Sequence, residues 1–220
     1  MLRAVASVLE PVRTKAMEQA LERLRAMIAT GELSPGEQIR QQDMADQLGF
    51  SRVPLREALN VLADQGLLLH RPHQGYFVAK RAPSELAQIR RMLQLLEDEL
   101  LQSIEWPAAP LLKELKKLNQ EMRKHASAAD WMPLMRRNRE FHFRIFALSP
   151  HRMMLDEVHR LWGLGEPFIA LRMSSPEARA RTVDEHDEII RTLEKRDRKL
   201  LLSAMEKHRA STSTGLPPEL

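Results

Sequence analysis

Six histidines fall in the second half of the chain, at positions 125, 142, 151, 159, 186 and 208, and no cysteine occurs anywhere. Thiolate metal sites, disulfides and thiol nucleophiles are therefore excluded. Three of the histidines have informative surroundings. "NREFH" places Asn138 and His142 four residues apart, on one face of a helix. His186 lies within the amphipathic "VDEHDEIIRTLEKRD", and His208 stands near the end of "LLSAMEKHR". Ligands projecting from facing helices of a bundle can enclose a divalent ion. Three imidazoles suit zinc, nickel or another first-row metal. Histidines of the core, or of a pocket for an organic ligand without metal, are the alternative at this point.

A second group of residues heads the stretch "GFSRVPLREALNVLADQG", from Gly49 to Gly66. Ser51 is placed to cap the helix that follows, its hydroxyl bonding the backbone N–H groups of the first turn. Pro54 sits in that turn, where its missing N–H is not needed. Arg52, Arg56 and Asn60 lie on the face opposite Leu55, Leu59 and Leu62. Free amides at a helix start suit a phosphate, and arginines suit guanine edges or phosphates. A helix that only packs in a core has no use for such a head.

The elements that would position these groups follow from periodicity. "TKAMEQALERLRAMIAT" buries Met17, Leu21, Leu24 and Ile28 on one helix face, and Gly31 stops it. After the "SPGEQI" turn, "RQQDMADQLGF" forms a short second helix with Met44, Ala45 and Leu48 inward. Gly49 ends it, and the third helix runs to about Gln65. Two β-like runs, 67–71 and 76–79, flank a "PHQG" turn. Helix, helix, turn, helix and hairpin make a winged helix-turn-helix. Beyond the "RAPS" linker, where Ser84 is the expected cap, the chain reads as helices over about 85–105, 109–128, 131–148, 150–173, 176–196 and 197–210. Pro167 is expected to kink the fourth of them. The expected organisation is mainly α: a winged helix-turn-helix over 1–80, a helical effector-binding and dimerisation bundle over 81–212, and a disordered tail over 213–220.

Composition agrees with this reading. Of 220 residues, 43% are hydrophobic and 29% charged, with few aromatics and eight glycines. No run approaches the roughly 18 apolar residues of a membrane helix. The apolar start "MLRAVASVLEPVRTK" is interrupted by Glu10 and does not read as a signal peptide. A soluble cytoplasmic protein is expected, with no membrane partner. The net charge of +4 permits an anionic partner. Residues 1–80 hold only one cation in excess, so DNA binding must depend on where the charges sit.

The stretch from "IATGELSPGEQIRQQDMADQLGF" through "SRVPLREALNVLADQGLLLHRPHQGYFV" resembles the GntR family of bacterial transcription regulators. The resemblance implies DNA contacts from Arg40 and Gln42 on the second helix, from Ser51, Arg52, Pro54 and Arg56 on the third, and from His73, Gln74 and Gly75 at the wing. Gln42 stands where the family usually has an arginine, which weakens one expected contact. Residues 84–210, with "NREFH", "DEHDEII", "EKRD" and "AMEKH" in order, resemble the all-helical FCD effector domain of the FadR-like branch. Metal-binding members use an Asp four residues before the first His, then two further His. On this chain those positions are Asn138, His142, His186 and His208. Asn138 departs from the pattern, because its amide oxygen is neutral. Arg90, on the first helix of this domain, is a candidate partner for an effector carboxylate.

The resemblance implies a dimeric, ligand-responsive regulator, a repressor more often than an activator. It would bind a near-palindromic operator and sense a small organic acid, with Arg90, Asn138, His142, His186 and His208 as the effector site. Two other readings compete. A winged helix can serve as a protein-binding scaffold, and three histidines around a metal can activate water in an enzyme. For the enzyme no general-base carboxylate stands out. Glu185 neighbours His186, but adjacent helical residues point about 100° apart, so it is expected to face elsewhere.

Overall fold

A computed structural model of the chain describes residues 14–173 and 175–211. The expectations for the first thirteen residues and for the 213–220 tail lie outside the described residues. The N-terminal part contains α1 (Lys15–Thr30), β1 (Gln38–Ile39), α2 (Gln41–Leu48), α3 (Arg52–Asp64), β2 (Leu68–Arg71) and β3 (Gly75–Val78). Its start is capped by Thr14, whose hydroxyl accepts the Met17 N–H at 3.2 Å. Met17, Leu21, Leu24 and Ile28 are buried, as the four-three-four spacing predicts. They meet Leu55, Leu59 and Leu62 of α3, which have no exposed surface. Each such leucine contributes about 1.5–3 kcal/mol by burial, and Leu59→Ala should cost about 2–5 kcal/mol.

The sheet has the order β1-β3-β2 and is antiparallel throughout. Leu68 pairs with Val78 and Arg71 with Gly75 in the wing, while Gln38 pairs with Phe77 on the other edge. The β1 strand is an addition to the elements expected from sequence. Two residues are too few to show an alternation.

The remaining helices are α4 (Pro83–Ser103), α5 (Ala109–His125), α6 (Met132–Phe146), α7 (Arg152–Arg172), α8 (Pro176–Lys195) and α9 (Arg198–Ser211). Pro107, Asp130, Pro150 and Asp197 lie between these helices, and Pro176 opens α8. Ser84 is not the cap of α4. That position belongs to Ala82, with Pro83 in the first turn, and the Glu85 carboxylate accepts the Ala82 N–H at 2.8 Å. A proline at the first helical position and a reaching Glu together start the helix two residues early. The kink expected at Pro167 concerns a side chain outside the described set.

A second core, built from residues such as Leu100, Leu115, Met122, Phe141, Ile145, Ile189 and Leu201, fills the bundle. The two parts touch through α1, which packs on α7 as well as on α3. Gly66 marks the close approach between them. It has φ +72°, and a Cβ there would stand 3.0 Å from side-chain atoms of both Arg81 and Leu164.

Candidate DNA-binding surface and metal centre

The head of α3 is exposed. Arg52 and Arg56 lie on its outer face with Asn60, and Val53 is 57% accessible beside them. Ser51 occupies the cap position, but its side chain makes no capping bond. The expected intrahelical bond is therefore absent, and Ser51 is exposed. Pro54 lies in the first turn, as predicted. Gln42 is exposed on α2 and accepts a hydrogen bond from Nε of Arg52. Its own amide donates to both Asp46 carboxylate oxygens, at 2.9 and 3.0 Å. Gln42 thus orients Arg52. Arg40 is exposed at the start of α2.

At the wing, His73 and Gln74 form the tip. Gly75 has φ +88° and His73 has φ +63°. Two left-handed positions on either side of Gln74 turn the chain, and only the glycine was legible in advance. The tip is braced by Gln38, whose side-chain amide donates to the Gln74 carbonyl at 2.7 Å. Tyr76 OH donates to Asn60, tying β3 to the recognition helix.

In the bundle, His142 comes from α6, His186 from α8 and His208 from α9. All three are buried, at 2%, 0% and 5% exposure. Their Nε2 atoms point at one another. His142 Nε2 is 3.2 Å from that of His186 and 3.2 Å from that of His208. One ligand nitrogen from each lies within 4.8 Å of the others. Two imidazoles sharing an ion at about 2.0–2.1 Å in tetrahedral geometry stand roughly 3.3 Å apart, so the spacing fits. Burial pushes the His142 and His186 imidazoles well below their usual range. Burial thus favours the neutral form of both, which is the form that ligates.

His208 is held from behind by Glu185. Glu185 Oε2 lies 2.8 Å from Nδ1 of His208 and also accepts a bond from Ser211 Oγ at 2.7 Å. Burial raises the Glu185 carboxyl, but the bonds from His208 and Ser211 outweigh it and bring the group below its ordinary value. An ionised carboxylate only accepts. Nδ1 of His208 is therefore the donor in this bond, and in the neutral ring that leaves the lone pair on Nε2. The expectation that Glu185 faces elsewhere does not hold: its side chain is 10% exposed and turned onto a histidine of the cluster. α9 meets it there with a histidine from another helix.

Asn138 is 2% exposed, one turn before His142, and its Oδ1 has no hydrogen-bond partner among the described residues. An orphaned buried oxygen on the face that carries a ligand is consistent with a donor. Nδ1 of His142 and of His186 are also unpartnered there. Trp162 packs against His142 at 5.2 Å and donates to the buried Glu97 at 2.7 Å. Arg90 is not brought to this site: it is exposed on α4, while Ile89, Glu97, Leu100 and Leu101 form the buried face.

Two family models cover this architecture. One, for bacterial regulatory proteins of the gntR family, matches residues 16–78, and the FCD domain matches residues 85–211. The chain belongs to the GntR family. It is a GntR-family transcriptional regulator with an FCD effector-binding domain, and not an enzyme. A GntR-type regulator in an unstable DNA locus of Streptomyces ambofaciens is 28% identical over 84% of this chain and 78% of its own length. McbR of Escherichia coli K12 is 29% identical over 63% of each chain. The gluconate operon repressor of Bacillus subtilis is 25% identical over 84% of this chain and 78% of its own. The solved structure of E. coli McbR superposes with a TM-score of 0.76 at 21% identity, covering 91% of this chain and 96% of that one. Among the described residues no helix is long and apolar enough to cross a membrane.

Proposed function

We propose that this GntR regulator is a cytoplasmic repressor that binds a near-palindromic operator as a dimer and is released by a small carboxylate metabolite. The observation that carries the sensing half is the convergence of three buried Nε2 atoms. His142, His186 and His208 would hold a divalent ion of the zinc or nickel kind, with Asn138 as a weak fourth donor. Such an ion, when bound, supplies positive charge that attracts a carboxylate oxygen. The protein's own residues do the rest. Glu185 fixes the His208 tautomer, Phe141 stacks on His186 at 4.2 Å, and the apolar surround keeps the imidazoles neutral.

On the DNA side, Arg52 and Arg56 reach base edges, while Ser51 and the first-turn amides meet a phosphate. Arg40, Gln42 and the wing residues His73, Gln74 and Gly75 complete the surface. Two half-sites require two copies. Met92 and Leu95, 41% and 55% exposed and three residues apart on α4, support an apolar face for that pairing. Repression and an acid effector agree with the relative that represses the gluconate operon, since gluconate is a sugar acid.

The test is operator binding by fluorescence anisotropy, with zinc or nickel and a panel of sugar and organic acids. An acid should weaken binding in the metal-loaded protein and leave the His186→Ala variant unaffected. If no acid changes operator affinity with metal present, the sensing reading fails. If the wild-type protein binds no DNA from its own promoter region at low salt, the repressor reading fails.

A further inference from the structure

A cleft of about 520 Å³ opens between the DNA-binding domain and the bundle. One wall is α1, the other is α6, and Leu67 closes one side. Its floor is apolar, with Ala26, Ile28, Leu67 and Met135. Its rim is cationic, with four arginines against two carboxylates. Both acids already have partners. Glu22 pairs with Arg136 across the cleft at 3.2 Å, and Asp130 accepts the Met132 N–H at 3.2 Å. Arg23 makes no ion pair among the described residues. The volume lies in the range of small-molecule sites, which combine an apolar lining with a few placed polar groups.

We propose that this cleft is a second ligand site, for a small amphipathic carboxylate. The apolar body would lie on Ala26, Ile28, Leu67 and Met135. The carboxylate would meet Arg23 and Arg136, whose guanidinium forks match it in shape and charge. The Glu22–Arg136 pair does not bar entry. Both side chains are about 60% exposed, and an exposed pair is weak enough to be exchanged. The walls belong to different domains, so an occupant favours one arrangement of the winged helix over the bundle. By linkage, operator and ligand then alter each other's affinity. The α6 helix joins the two sites: Asn138 and His142 are buried in the bundle, whereas Arg136 and Arg139 line the cleft. This binding claim does not depend on the histidine centre holding metal.

Calorimetric titration of the full chain with octanoate, in EDTA and without DNA, tests it directly. One saturable site is expected. Octan-1-ol, which lacks the carboxylate, should bind at least about tenfold more weakly. The Arg23→Gln/Arg136→Gln variant should lose about tenfold or more in octanoate affinity, and Ala26→Phe, which fills the cleft, should abolish it. His142→Ala should stay within about twofold of wild type. Absence of saturable octanoate binding overturns the proposal. So does equal binding of octanol, or binding lost in His142→Ala but kept in the arginine variant, which would place the acid in the bundle. The two arginines are exposed, so their variant keeps the test valid even if Ala26→Phe does not fold.

Discussion

Glu185 and His208 form a pair that fixes the direction of the histidine centre: Oε2 lies 2.8 Å from Nδ1 on one side of the ring, while Nε2 of the same ring faces His142 at 3.2 Å. A carboxylate behind a ligating imidazole sets its tautomer and raises its basicity. Glu185→Gln keeps the shape but removes the charge. It should weaken zinc binding by about 10–100-fold, read by competition with a chromogenic chelator. Glu185→Asp should recover part of the loss. Unchanged affinity in Glu185→Gln would show that the pair is structural only.

Asn138→Asp should strengthen metal binding, because it replaces a neutral amide oxygen with a charged one on the face that carries His142. The same competition assay reads the effect. Weaker binding would mean that residue 138 stands outside the coordination sphere.

The metal-free protein should lose stability in acid. His142 and His186 have folded-state pKa values well below their unfolded value, with burial as the main cause. Below about pH 6.5 the unfolded chain takes up protons that the folded chain refuses. This contribution to stability is therefore complete above that pH and declines as pH falls toward the folded values. Urea unfolding of EDTA-treated protein from pH 8 to pH 5 should show the decline. A His142→Gln/His186→Gln variant should show a shallower one. An equal slope in both would assign the acid sensitivity to other groups.

Arg56→Ala should weaken operator binding by about 1–3 kcal/mol if its contact is bidentate to a base. Gln42→Ala, by releasing Arg52, should reduce discrimination between operator and unrelated DNA. Gly75→Val should also impair binding, through backbone strain at φ +88° and not through a clash, since no atom lies within 4 Å of its would-be Cβ. Anisotropy titrations on matched and unmatched DNA read all three. Normal operator affinity in Arg56→Ala and in Arg52→Ala, with folding intact, would contradict the recognition surface.

Most of the fold was legible because its signals are local. Met17, Leu21, Leu24 and Ile28 repeat with the helix, and glycines and prolines mark the ends. The failures came where a distant element decides. Ser51 sits at the cap position without making the bond, because nothing in its spacing distinguishes a hydroxyl turned to the helix from one turned to solvent. β1 exists only because Gln38 and Ile39 meet Phe77 and Tyr76. Glu185 was set aside by its angle to His186, yet its partner arrives from α9, and spacing along one helix carries no information about another. Arg90 had charge and domain position in its favour, but the buried face of α4 passes through Ile89 instead.

Metal analysis of protein purified without chelator or affinity tag bears most directly on the centre formed by His142, His186 and His208. One divalent ion per chain is expected in the wild type, with a loss of nearly all of it in His186→Ala. A metal-free wild type, with no thermal shift on adding zinc or nickel that His186→Ala abolishes, would contradict it.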